Sequence, residues 1–176
     1  MKTKAEYIAE HIIKWEGGWS THPADSYACT MSGITIATYQ QYCGKDKTCR
    51  DLRKLTEKEW VYIFKQGFYH KAKIDQIENW SLALLICDMA FMSGPKTTIK
   101  KVQKVLGVNP DGIIGPITLK ALNDAPEENF YEIVQMREKW FKAIVQKSPE
   151  KKVFLRGWLN RLNSIKYSDY NDETGR

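Results

Sequence analysis

Apolar residues recur along this chain at helical spacing, in runs set off by capping and breaking residues. Ala5, Ile8, Ala9, Ile12 and Ile13 form the first stripe, which predicts an amphipathic helix. Thr3 and Glu6 make a Thr-x-x-Glu capping box at its start, and Gly17-Gly18 supply its stop. Thr35 is placed to cap a second helix through Tyr39 and Tyr42. Thr56 and Glu59 form another capping box, opening a helix expected to bury Trp60, Ile63, Phe64 and Phe68. The nearly continuous apolar stretch from Leu82 to Phe91 predicts a central helix covered on most sides, ending at Gly94-Pro95. Ile99, Val102, Val105 and Leu106 mark the next helix, stopped by Gly107.

Asp111-Gly112 reads as a turn, and Pro116 suits the first position of a short helix. Glu127 and Glu128 open a long helix whose stripe holds Phe130, Ile133, Val134, Arg137, Phe141 and Ile144, broken at Ser148-Pro149. A last helix carries Phe154, Trp158, Leu162 and Ile165, followed by a polar tail over residues 168–176 that is expected to fray. The extended candidate lies between Trp19 and Ile36, as a small β-hairpin. The pattern therefore predicts a mainly α fold.

One polar residue stands out against that pattern. Glu16 continues the first apolar stripe, so it is expected in the last turn of its helix on the core side, near Trp15 and Trp19. Burial disfavours the charged form of a carboxyl, and the negative end of the helix dipole acts in the same direction. That is an environment suited to a general acid.

The residues after Glu16 extend this reading. Glu16-Gly17-Gly18-Trp19-Ser20-Thr21-His22-Pro23-Ala24-Asp25, then Thr30 and Gly33-Ile34-Thr35, resemble the opening motif of family 108 of the glycoside hydrolases. These are peptidoglycan-cleaving N-acetylmuramidases that include phage endolysins and bacterial secretion activator proteins. Further similarity lies in Leu55-Thr56 with Glu59, in Asp88 with Ser93-Gly94, and in Gln103 with Leu106-Gly107-Val108. It continues through Asp111-Gly112-Ile113-Ile114-Gly115-Pro116-Ile117-Thr118-Leu119 and Gly157-Trp158-Leu159-Asn160-Arg161. The chain departs from the family pattern at Trp19 for Tyr, His22 for Asp, Tyr27-Ala28 for a glycine pair and Met92 for Asn.

The resemblance implies a lysozyme-like helical domain over residues 1–167, which in the family's manner divides into a catalytic part, 1–94, and a peptidoglycan-binding part, 95–167. No flexible linker marks that division, since Gly94-Pro95 reads as a tight turn. The implied reaction is muramidase hydrolysis of the glycan strand. It needs a proton on the glycosidic oxygen and stabilisation of an oxocarbenium-like transition state. Glu16 is the expected general acid and Asp25, on the following loop, the expected second carboxylate. Trp19 is the expected aromatic sugar contact, ahead of Trp15 and Trp158. Thr30 is expected to position water or a sugar hydroxyl, and Gly33 to form a turn that lets a sugar approach the bare backbone. The alternative is a module that binds peptidoglycan without cutting it.

Composition adds limits. The net charge of +6 favours anionic surfaces such as the bacterial wall, and no nucleic-acid motif accompanies it. No segment has the length of a membrane span, and the N-terminus does not read as a signal peptide, so a holin or another release route is expected to bring the protein to the wall. Cys43 and Cys49 bracket a polar stretch that can close as a small disulfide loop, yet free thiols are the default for all four cysteines without a secretory signal. The spacing of cysteines and histidines matches no metal site, and no cofactor is expected. Asp88, an acid inside the apolar helix, is expected to pair with Arg137 or Arg161.

Overall fold

The computed structural model of the chain describes residues 2–21 and 29–168, and these form a mainly α fold with one small antiparallel sheet. Its described residues divide into two compact units, one within residues 2–71 and the other over residues 72–168.

In the first unit, helix α1 (Lys4–Trp15) starts at the capping box that the sequence predicts: Thr3 N donates to Glu6 Oε2 at 2.9 Å, and Glu6 N donates to Thr3 Oγ1 at 3.3 Å. Ala5, Ile8, Ala9 and Ile12 are buried, whereas Ile13 is 39% exposed, so the apolar stripe is narrower than expected. The chain then enters a three-stranded sheet, β1 (Trp19–Thr21), β2 (Cys29–Met31) and β3 (Ile34–Thr35), in the order β1-β2-β3. The expected hairpin is thus extended by one strand.

Helix α2 (Ile36–Cys43) follows directly, with Thr35 Oγ1 accepting from Thr38 N as its cap. Helix α3 (Cys49–Leu52) is a single turn opened by Thr48, whose N and Oγ1 both donate to Asp51 Oδ2. Helix α4 (Glu57–Phe64) begins at the Thr56–Glu59 box and runs into a π-helical turn, Lys65–Tyr69.

That π turn changes which residues face inward. An α-helical stripe through Trp60 and Phe64 continues to Phe68, but one inserted residue carries the buried face to Tyr69. Tyr69 is 5% exposed while Phe68 is only half-buried. Trp60 and Phe64 stack at 5.4 Å, and Phe64 meets Tyr69 at 6.1 Å. Gly67 lies in the same turn, where an added Cβ would sit 3.3 Å from Tyr42 Cε2, so the absence of a side chain lets the backbone approach that ring.

In the second unit the core is helix α5 (Trp80–Ser93), in which every residue from Ser81 to Ala90 is buried. Asn79 caps it by accepting from Leu82 N. It packs on α6 (Pro95–Val105), which in turn packs on the long α8 (Glu127–Lys147). Helix α7 (Pro116–Asn123) starts at Pro116 as the sequence predicts, and α9 (Lys152–Ser164) packs on α8.

Buried Gln103 organises the α6–α7 connection. Its Nε2 lies within hydrogen-bond reach of Asp111 Oδ1, Ile113 O and Thr118 Oγ1, and its Oε1 accepts from Gly112 N at 2.8 Å. Of the apolar set expected on α9, Leu162 and Ile165 are buried. Phe154 is 56% exposed instead, stacked at 6.0 Å on Trp158, which itself stacks on Phe141. Ser168, the first residue of the tail expected to fray, is held in place: its carbonyl accepts from Asn79 Nδ2 and Ser81 Oγ, and its N–H donates to Ser81 Oγ, while residues 169–176 lie outside the described residues.

The cysteines depart from expectation as well. Cys29 and Cys49 form a disulfide joining the first residue of β2 to the first residue of α3. Cys43 is a half-buried thiol and Cys87 a buried one. The near-neighbour pairing of Cys43 with Cys49 loses because α2 ends at Cys43 and the polar stretch after it opens α3, which packs against β2.

Among the described residues no helix is long and apolar enough to cross a membrane, and no cluster of three or more His, Cys, Asp or Glu forms a metal site.

Candidate active site

Glu16 is not in the last turn of α1 but just beyond it, as the C-cap, with extended backbone (φ −82°, ψ 132°). Its N–H still donates to Ile13 O at 3.2 Å. The helix path ends one residue before the sequence pattern implies, because Gly17-Gly18 lead into β1 and the chain has already turned at Glu16. Glu16 is therefore a half-buried residue at the junction of helix and sheet, beyond the end of the helix's apolar face.

The sheet positions the other expected residues. Trp19 pairs with Met31, Ser20 with Thr30, and Thr30 with Thr35. Side chains alternate across a strand, so Trp19, Met31 and Ile34 share one face while Ser20, Thr30 and Thr35 share the other. The Ile34 side is the inner one, since Ile34 is fully buried and Ser20 and Thr35 are exposed. Trp19 and Thr30 thus project from opposite faces. A ligand lying flat on the sheet meets one of them, and meets both only by wrapping the β1 edge.

Gly33 is a turn residue, as the sequence predicts. Ser32 (φ 47°) and Gly33 (φ 77°) join β2 to β3 as a two-residue connection with both residues in the left-handed region, as a type I′ hairpin requires. Glycine adopts that conformation without steric cost. The turn is tied down by Trp60, whose Nε1 donates to Ser32 O at 2.9 Å from a side chain only 2% exposed.

Two residues that bear on this site were not singled out by sequence for that role. Trp60 reads there as a core residue alone, and its N–H anchor depends on the tertiary approach of α4 to the hairpin. The guanidinium of Arg53 lies 5.6 Å from the centre of the Trp19 ring, within cation–π range, and covers one face of it. At most the opposite face of Trp19 is left for a sugar. Asp25, His22 and the Tyr27-Ala28 pair lie outside the described residues.

Asp88 pairs with Arg161, one of its two expected partners: Arg161 Nε donates to Asp88 Oδ1 at 2.8 Å, and Nη2 lies 2.7 Å from the same oxygen. Both are buried. Arg137 is the second cation in that interior, donating to Ser93 Oγ at 2.9 Å and to Met92 Sδ at 3.6 Å. Burial pulls its guanidinium down to about 10, partly offset by the Asp88 charge. Met92 stands where the family resemblance has Asn, and here its thioether is the acceptor that faces Arg137. This cluster is structural in its contacts, with every charge directed to another side chain of the unit.

Comparison with known proteins bears on the identity of the chain. Residues 9–94 match the family described as glycosyl hydrolase 108, and residues 97–163 match the family described as "Predicted Peptidoglycan domain". Among solved structures the chain is similar to SagA of Brucella abortus, with a TM-score of 0.78 and 28% identity over 92% of this chain and 90% of that one. No functionally curated protein matches. Residues 9–94, just under half of the chain, thus match the glycosyl hydrolase 108 family, and with the peptidoglycan domain match that follows they mark a peptidoglycan-acting protein.

Proposed function

We propose that the protein hydrolyses the glycan strand of peptidoglycan as an N-acetylmuramidase, with Glu16 as its general acid. The observation that carries this reading is the position of Glu16 within the glycosyl hydrolase region, half-buried where α1 hands over to the sheet. A general acid must reach a bound glycosidic oxygen to hand over its proton, and a residue that is neither fully buried nor fully exposed leaves room for that.

Asp25 is the proposed second carboxylate, stabilising positive charge at the anomeric carbon or activating water. Thr30, on the open polar face of the sheet, is proposed to hold a sugar hydroxyl or the water. The left-handed turn at Gly33 leaves bare backbone for a sugar ring beside it. Trp19, stiffened by Arg53, is proposed as the aromatic wall reached around the β1 edge. The alternative of a binding module that does not cut is favoured by no separate observation, and the same experiment addresses it.

That experiment is analysis of the ends created when purified protein digests bacterial walls. Muramidase action leaves N-acetylmuramic acid at the new reducing end, so borohydride reduction yields muramitol. Glucosaminitol alone would replace the assignment with a glucosaminidase, new amino termini with a peptidase, and absence of new ends with a binding module.

A further inference from the structure

Within the second unit, α6 and α8 border a groove of about 620 Å³, a volume typical of small-ligand sites. The half-buried ring of Trp140 lines it, and two cations lie against that ring: Lys101 Nζ at 4.5 Å and the Arg137 guanidinium at 4.3 Å from its centre. Arg137 is committed to the interior through Ser93 and Met92. Lys101 and Lys139 line the groove itself, and neither is paired with a carboxylate among the described residues. Glu132 is the acid in the lining, and its carboxylate already accepts from Asn129 on the same helix. Gln135 adds an amide, and Met136 an apolar surface beside the indole.

The groove is therefore electropositive, with a flat apolar wall. Burial, with Lys104 and Arg137 nearby, lowers the pKa of Lys101, and an arriving anion would supply the counter-charge that its ammonium does not find among the described residues. A glycan strand carries no free carboxylate where its muramic acids bear stem peptides, so it offers nothing to match this charge. A nucleic acid presents a continuous phosphate row, whereas this site is short and holds Glu132.

We propose that the α6–α8 groove binds the carboxylate-bearing stem peptide of peptidoglycan, with Lys101 and Lys139 taking its carboxylates, Gln135 a peptide group, and Trp140 with Met136 its alanine methyls. This rests on the reading that peptidoglycan is the protein's substrate, and it assigns the peptide to the second unit while the first acts on sugar.

The test is a nuclear magnetic resonance titration of the full chain with a soluble reduced disaccharide-tetrapeptide. The Trp140 indole signal is followed, identified by its loss in Trp140→Phe. The disaccharide-peptide is expected to shift that signal, and Lys101→Met to weaken binding about tenfold, the scale of one charge-assisted hydrogen bond. Lys101→Arg should retain binding, and Lys139→Gln provides a second, independent loss. A peptide-free glycan of the same length is expected to leave Trp140 unmoved. Equal response to the peptide-free glycan, displacement by a short oligonucleotide, or unchanged affinity in both lysine variants would overturn the proposal. Wall digestion by the same preparation separates the two readings. Cleavage without a Trp140 response rejects the groove alone, and a response without cleavage rejects the hydrolase reading alone.

Discussion

Asp88 carries the charge balance of the second unit's interior. It is the buried acid that meets Arg161, and Arg137 sits in the same field. Replacing one partner of such a pair leaves an uncompensated buried charge, which costs more than the intact pair contributes. Asp88→Asn is therefore expected to destabilise the protein by about 3–5 kcal/mol in urea unfolding. A loss below about 1 kcal/mol would mean that water already reaches Arg161. At this scale the sequence was informative where chemistry is local. An acid amid Leu82–Phe91 had to find a cation, and Arg161 was one of two named. It was less informative for Glu16, because whether the last residue of a stripe lies inside a helix or caps it depends on one backbone angle.

The elements that formed as expected are those with both ends written in short-range signals. The Thr3–Glu6 and Thr56–Glu59 boxes close, and Pro95 and Pro116 open their helices. The third box, Thr48 with Asp51, is hidden in the sequence by the two cysteines bracketing residues 44–48, which suggest a loop there. The π turn at Lys65–Tyr69 was not legible either, since its sequence fits an α-helical stripe through Phe68. Within that turn Gly67 lies against Tyr42, a tertiary contact that leaves no local signature in the sequence.

Hydrogen bonds from Thr56, with a further one from the Tyr39 hydroxyl, hold the Glu59 carboxyl below its usual 4.5. A lowered folded value adds stability above the unfolded one, and that contribution is lost as pH falls through the folded value. Glu59→Gln should thus show its largest Tm deficit near neutral pH, closing progressively below about pH 4.5. A deficit that stays constant to pH 2 would show that the carboxylate's charge contributes nothing.

Cys29 and Cys49 are 20 residues apart, and closing such a loop constrains the unfolded chain by about 3 kcal/mol. Cys29→Ser should lower the stability of the oxidised protein by that order, while Cys43→Ser should leave it unchanged. The opposite ranking, or a non-reduced peptide map joining Cys43 to Cys49, would contradict the observed pairing.

For the whole molecule, the family boundary and the packing boundary differ. The glycosyl hydrolase match ends at residue 94, at the turn between α5 and α6, yet those two helices pack on one another, and the compact units divide at Lys71. The sequence read Gly94-Pro95 as a tight turn and not a linker, and Pro95 at the first position of α6 is that turn. It carried no sign of the division at Lys71, because the π turn that precedes it looks helical. The family was legible because its motif residues are capping, turn and charge-bearing positions that declare themselves locally. How the sheet divides Trp19 from Thr30 follows only from strand register.

If Glu16 supplies the proton for glycan cleavage, Glu16→Gln should remove that step and little else. Glutamine keeps the size and polarity of the side chain and removes its ability to donate a carboxyl proton. The variant should lose wall-clearing activity by roughly 100-fold or more with an unchanged melting curve, and still sediment with insoluble peptidoglycan. That sedimentation should weaken as salt is raised, since the net charge of +6 acts across about 10 Å at moderate ionic strength. Retention of most of the clearing activity by a folded Glu16→Gln protein would contradict the account.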